Sequence, residues 1–528
     1  MVYLLPKQGL REHHKIMLKF IQIPGFKGGY SNDKYSSISK QTFQKAENLD
    51  IFTLEKVLTS LLRLRTDTTD KTLANIKLNS AIMAADGRVY FRGFDEATGN
   101  TLTIWDAGLP VNLDDITAIT AEATASGTSS NHGMVEFLSD LFYYESATRI
   151  QAFDIGGAAV VTNAVNVNDT MPIFVHTGLK KMFYTVANNQ IGATTSATIS
   201  ATALITFEED QRPVMCAEFG RFVAVGLKTA NQSKTSKIAI WDGSSTTIDD
   251  LIDIGDVGLQ GLVNVGGVLY ALVVSQPDNA DVPRNLVRIY KIVGSSARLV
   301  QEIDCKSTFQ GTVTIDTDAI TVRAGKIYFG LSSSGNTGIL GIDNGVWIYD
   351  TLTDLLTLGR TTQDTDHNDI LSISFAGNIM IVNSQTSTAV KRLNHNRTIL
   401  KSAIGVYESN IFPLNGGLRG KINKIYLNHD PIPTSTGFTV AIRHYGNYPW
   451  GTSVPSQEAY QDISGPQGSG SSTGKTQSTD NAMFTEISSE KFVDAVYAQI
   501  KISIDEVNES AESNAPAIVF PIIIELAD

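Results

Sequence analysis

The chain carries two cysteines, Cys216 and Cys305, in 528 residues. A disulfide framework is therefore excluded, one bridge between the two is the only covalent option, and buried apolar surface must hold the fold. Long hydrophobic runs are also missing. The most apolar late stretch, Ile518 to Ile524, is far short of the ~20 residues that span a bilayer, and Pro521 within it suits an edge strand or loop. At the start Lys19 interrupts the one apolar stretch and no small-residue cleavage site follows, so neither a signal peptide nor membrane insertion is expected. Positive charge is in deficit, with 42 Lys+Arg against 54 Asp+Glu and a net charge of −12. That balance argues against a binder that works by neutralising nucleic-acid phosphates. Proline is sparse, 15 residues against 43 glycines. The length allows roughly two to four domains.

What the chain does have is a repeat. A turn residue followed by a short apolar strand recurs at Asp86-Gly87, Ser139-Asp140, Gly178, Gly220, Gly266-Gly267, Gly325 and Gly377, at separations of 40 to 58 residues that average about 48. Propeller blades of four strands repeat at ~40–50 residues. Several copies lead to a second strand closing in an aromatic and an acid, as at Trp105-Asp106, Phe153-Asp154, Trp241-Asp242 and Tyr349-Asp350, whereas Tyr290 is followed by Lys291. Gly or Asp supplies the positive φ of a tight turn, alternation feeds a core, and the closing Asp caps the next turn. The expected fold is all-β: a seven-bladed β-propeller at 71–400, a C-terminal β-sandwich at 401–528 and an N-terminal arm with connecting segment at 1–70. An array of β-sandwiches without radial closure is the alternative. Trp105-Asp106 and Trp241-Asp242 match the WD dipeptide without its Gly-His partner, and the paired glycines keep no kelch period.

The candidate chemistry is thin. Gly468, Gly470, Gly474 and Lys475 lie in a Gly/Ser/Thr-rich flexible loop at 464–480. A phosphate-cradling loop ending at Gly474-Lys475-Thr476 would need glycine where Ser469 stands, so an assembly or contact loop is expected there instead. Asp364, Asp366, Asn368 and Asp369 offer alternate oxygen ligands but lack the glycine and distal Glu of a calcium loop. No two of the eight histidines have metal-site spacing. Spacing alone leaves a Cys/His nucleophile open, although a free Cys in an apolar strand is more often a small buried hydrophobe. The Asp-box of sialidases is absent, and no catalytic residue, metal or cofactor is expected. Trp450, with Tyr448 and Tyr445, sits in a loop-like context where aromatics could contact a partner or a glycan.

The stretch Ala46-Glu-Asn-Leu-Asp50, the following Val57-Leu58 and Arg63-Leu-Arg65, the Gly-punctuated repeats and an ending with a long strand at Val496–Ile504, an acidic loop and Pro521 together resemble propeller-plus-sandwich nozzle and hub proteins of tailed bacteriophages. The chain departs from them at Leu54-Glu-Lys-Val57, where a Pro-Gly-x-x-x-Arg continuation is usual. The resemblance implies a non-enzymatic virion structural protein, assembled in the host cytoplasm into a homo-oligomeric tail ring, often of six copies. Such a ring docks adaptor, portal or fibre proteins and passes phage DNA during genome ejection without sequence-specific binding. The alternative is a carbohydrate-binding or glycan-cleaving propeller for host-surface recognition.

Overall fold

A left-handed turn of one kind organises the middle of the chain. The hairpin joining the first two strands of each repeat contains a residue at positive φ: Gly87, Ser139, Lys180, Gly220, Gly266 with Gly267, Gly325 and Gly377. Glycine adopts this region without strain, which is why the repeat was legible. In the third repeat the left-handed residue is Lys180, two positions after the expected Gly178.

The computed structural model describes residues 19–30, 41–52, 56–60, 65–66, 76–95, 101–106, 108–109, 120–125, 132–155, 160–229, 234–275, 286–304, 312–334, 344–360, 369–385, 391–395, 405–429, 437–445, 460–463, 484–489, 492–504 and 518–527. Within them the repeats form seven antiparallel sheets that meander outward from a first, inner strand. Blade 1 holds Ile76–Met83, Val89–Asp95, Thr101–Asp106 and Thr120–Ala125; blade 2 begins at Val135–Phe137, blade 3 at Phe174–His176, blade 4 at Gln211–Phe219 and blade 5 at Leu259–Val265. Blade 6 has two short strands, Thr312–Thr314 and Ile320–Arg323, along one edge of Lys326–Ser334. In blade 7 the outermost strand is Arg65–Thr66, which pairs with Lys391–His395, so a segment preceding blade 1 completes the last blade.

Burial follows this geometry. Second strands of the blades, such as Val268–Ser275, are buried along nearly their whole length because a neighbouring sheet covers each face. Apolar clusters fill the gaps between successive blades, for example Met134, Leu141 and Tyr90 between blades 1 and 2, and Val346, Ile370 and Val382 between blades 6 and 7. The closing acids of third strands cap the turns that follow: Asp106 Oδ1 accepts from Gly108 N at 2.6 Å, and Asp242 Oδ1 accepts from Ser244 N and Ser245 N at 2.8 and 2.7 Å.

The C-terminal part is a pair of packed sheets with clean alternation, as in Phe438–Tyr445, where every second residue is buried. The segment expected as an arm is woven into both sheets. Lys19–Ile23 and Val57–Ser60 pair with Ile518–Leu526, while Thr42–Glu47 pairs with Gly405–Ser409. Phe26, Phe43, Leu49 and Ile51 are buried in the same core as Tyr407, Ile500 and Phe520. Blade 6 docks on this sandwich: Leu355 enters its core, Thr357 Oγ1 donates to Ala46 O at 2.5 Å, and Tyr30 meets Trp347 edge-on with centroids 5.6 Å apart. No helix among the described residues is long and apolar enough to cross a membrane.

Phe43 is fully buried against Tyr407. Phe43→Ala is expected to cost about 3–5 kcal/mol of sandwich stability, as for other buried Phe truncations. Denaturant unfolding followed by tyrosine fluorescence checks this; a loss below about 1 kcal/mol would mean that residues 41–52 are an appendage.

Candidate functional site

The seven inner strands surround an axis, and blades 1, 2, 6 and 7 bound a cavity of about 320 Å³ there. One end lies beside the turns that follow Arg323 and Phe375, and the other is closed by Asp318, Gly133 and Met134. Ser80, Thr321, Ser372 and Ser374 add hydroxyls to the wall.

Behind the deep end is a cluster of buried charge. Arg92 breaks the apolar run of the second strand of blade 1, and its side chain is fully buried. Its Nη2 donates to Tyr144 O at 2.6 Å, its Nη1 donates to His132 O, and its guanidinium lies 5.8 Å from the centroid of the Tyr143 ring. Burial pushes the Arg92 pKa down to about 10, with Asp318, Tyr143 and Asp169 opposing the shift, so the group is a cation at neutral pH.

His132 sits on the connection into blade 2 and reaches across the axis to blade 6. Nδ1 is 3.2 Å from Asp318 Oδ2 and Nε2 is 2.7 Å from Asp169 O. A carbonyl only accepts, so Nε2 carries a proton, and a carboxylate facing Nδ1 calls for a proton there too. The geometry favours donation from both nitrogens, which is the imidazolium form. Burial opposes that charge, but the Asp318 hydrogen bond and charge, the Asp169 carbonyl and the Asp316 charge outweigh it and raise the pKa. Asp318 is held in turn at the start of a 3-10 turn, where its N–H donates to Asp316 Oδ1 at 3.1 Å.

This arrangement binds charge rather than moving protons. A general base needs a ring nitrogen with a free lone pair facing a nucleophile, and both nitrogens of His132 are committed. Cys216 is the described cysteine; it is buried against Met171 Sδ at 3.3 Å, and burial pushes its thiol well above the ordinary value, away from the reactive thiolate. Cys305 lies outside the described residues. Among the described residues no group of three or more His, Cys, Asp or Glu could hold a metal ion.

The expected contact residues lie elsewhere. Tyr445 ends a sandwich strand, where its hydroxyl donates to Gln499 Oε1 at 3.1 Å and accepts from Arg443 Nη1 at 3.4 Å. Tyr448, Trp450, Gly468, Gly470, Gly474 and Lys475 lie outside the described residues, as do positions 364–368. Sequence reasoning missed the Arg92, His132 and Asp318 cluster. Its one legible signal is a charged residue inside an otherwise apolar blade strand, Val89-Tyr-Phe-Arg92.

No family model matches the chain, and no curated protein matches it. Solved structures similar to it include BamB from Moraxella catarrhalis, with 10% identity over 60% of this chain and 82% of that one and a TM-score of 0.37. The WD40 β-propeller domain of Doa1 is 12% identical over 65% of this chain and 97% of that one, with a TM-score of 0.38. A puromycin-hydrolysing peptidase of Mycobacterium tuberculosis is 10% identical over 69% of this chain and 63% of that one, with a TM-score of 0.39. These findings correct the expectation of a phage tail protein. None of the three is a phage tail protein, and the Gly-initiated strands and Asp-capped turns that suggested a nozzle or hub are turn chemistry that many folds share. The tail ring and its DNA channel are withdrawn with that reading.

His132→Ala leaves the Asp318 carboxylate buried without its cation and is expected to cost about 3–5 kcal/mol. Because the folded-state pKa of His132 is raised, its stabilisation is complete below about pH 6.5 and declines as pH rises through the folded value. Denaturant midpoints of the wild type should therefore fall with pH above that point, and those of the variant should lose this slope.

Proposed function

We propose that the protein is a non-catalytic binding module whose axial cavity holds a small polar ligand. The observation that carries this reading is the cavity itself: about 320 Å³, walled by four blades and rich in hydroxyls. That volume falls at the low end of the range for ligand pockets. The charged residues behind it are spent on holding the blades together, and the committed nitrogens of His132 support a role without bond cleavage. Docking of blade 6 on the sandwich braces one wall of the cavity, which favours recognition by a preformed site.

A thermal-shift screen of small polar metabolites against the full-length chain tests the proposal. A true ligand at about a hundredfold over its Kd adds about 2.7 kcal/mol of stability and raises the midpoint by a few degrees. Ser374→Phe, which fills the cavity from its wall, should remove that shift. A panel of peptide, ester and glycoside substrates should show no turnover; turnover abolished by His132→Ala in folded protein would contradict a non-catalytic role.

A further inference from the structure

The two ends of the axial cavity differ in charge. At the turn end Arg323 has its guanidinium 4.9 Å from the centroid of the Phe375 ring, and Nη2 donates to Asn378 Oδ1 at 2.8 Å. Both contacts are to neutral groups, and among the described residues no carboxylate pairs with Arg323. A guanidinium held over an aromatic ring keeps N–H groups for a carboxylate, the partner its fork geometry matches. At the deep end Asp318 is already paired through Oδ2 with His132. Its remaining oxygen lies next to Gly133, where a Cβ would come within 3.4 Å of it. A second anion would be repelled there, whereas a hydroxyl donor would be welcome.

The wall between these ends offers unspent hydrogen-bonding capacity. Thr321 and Ser374 line the cavity and are half-buried, so their hydroxyls remain within reach of a bound molecule. Ser372 Oγ accepts from Asn383 Nδ2 at 2.7 Å, which leaves its own proton to donate. The cavity's 320 Å³ corresponds to about ten waters at ~30 Å³ each, or a ligand of similar heavy-atom count.

We propose that the cavity binds a small monoanionic polyhydroxy acid, with the carboxylate on Arg323 and the hydroxyls on Thr321, Ser374 and Asp318. This rests on the axial cavity being a ligand site. Gluconate and sorbitol are suitable probes, because they share the hydroxylated chain and differ in the carboxylate.

Isothermal titration calorimetry on the full chain, with inorganic phosphate as a third arm, tests the inference. Gluconate should bind in the micromolar to millimolar range with an affinity that falls with salt, and sorbitol at least about tenfold more weakly. Arg323→Gln should lose gluconate by about tenfold or more while leaving sorbitol unchanged, and Arg323→Lys should retain part of the difference. Ser374→Ala should weaken both polyols. Sorbitol binding as tightly as gluconate would overturn the anionic class and leave the cavity as a ligand site. Phosphate binding as tightly as gluconate would overturn the role of the hydroxyls. No heat with either polyol, in protein shown folded by circular dichroism, would overturn the inference; a cavity-dependent shift by any other ligand in the thermal screen would still uphold the site.

Discussion

The strand Ile518–Leu526 holds the architecture together, because it pairs with Lys19–Ile23 and Val57–Ser60 along one edge and with Ile422–His429 along the other. Residues before and after the propeller thus belong to one sandwich, and the seven blades are an insertion within it. The chain leaves the sandwich after Ser60, contributes Arg65–Thr66 to the rim of blade 7, and returns after His395 beside its point of departure. Assembly of the sandwich therefore brings together the two ends of the segment that must close into a ring. Loop-closure entropy grows slowly with length, so a single long-range pairing of this kind is an economical way to close seven blades.

Inside the ring, a second constraint spans the axis. Asp318 of blade 6 meets His132 from the far side, and Arg92 ties that same segment to blade 2 through Tyr144 O. Removing two charges from water costs several kcal/mol each, so such a cluster depends on the hydrogen bonds that replace that water. Here backbone carbonyls do much of that work, which fixes the connections between blades as well as the side chains. The same satisfaction that makes the cluster stable makes it a poor acid or base. It shapes the deep end of the cavity and holds Asp318 in place.

The sequence revealed the parts of this fold that are local. Each left-handed turn and each Asp cap is set by a few contiguous residues, so Gly87, Gly220, Asp106 and Asp242 could be read directly. Strand alternation in Phe438–Tyr445 was equally plain, since one of its faces is solvated. Pairings between distant segments were not legible. Thr42–Glu47 reads as an arm because its partner, Gly405–Ser409, lies across the whole propeller. His132 and Asp318 are 186 residues apart, and neither belongs to a spaced motif. Arg92 was visible as a charge in a strand, but its acceptors are main-chain carbonyls, which no side-chain pattern encodes. The tail-protein function was misread for a related reason, since turn-and-strand patterns report propeller geometry and leave function unspecified.

The central claim is that the axial cluster is a structural ion network around a binding cavity. Nitrogen-15 NMR of the imidazole rings, with His132→Gln to assign the signal, tests it most directly. The account predicts that both nitrogens of His132 remain protonated through neutral pH, as a doubly hydrogen-bonded imidazolium raised by Asp318 requires. A neutral ring with one lone pair free at pH 7 would contradict it and return His132 to consideration as a general base.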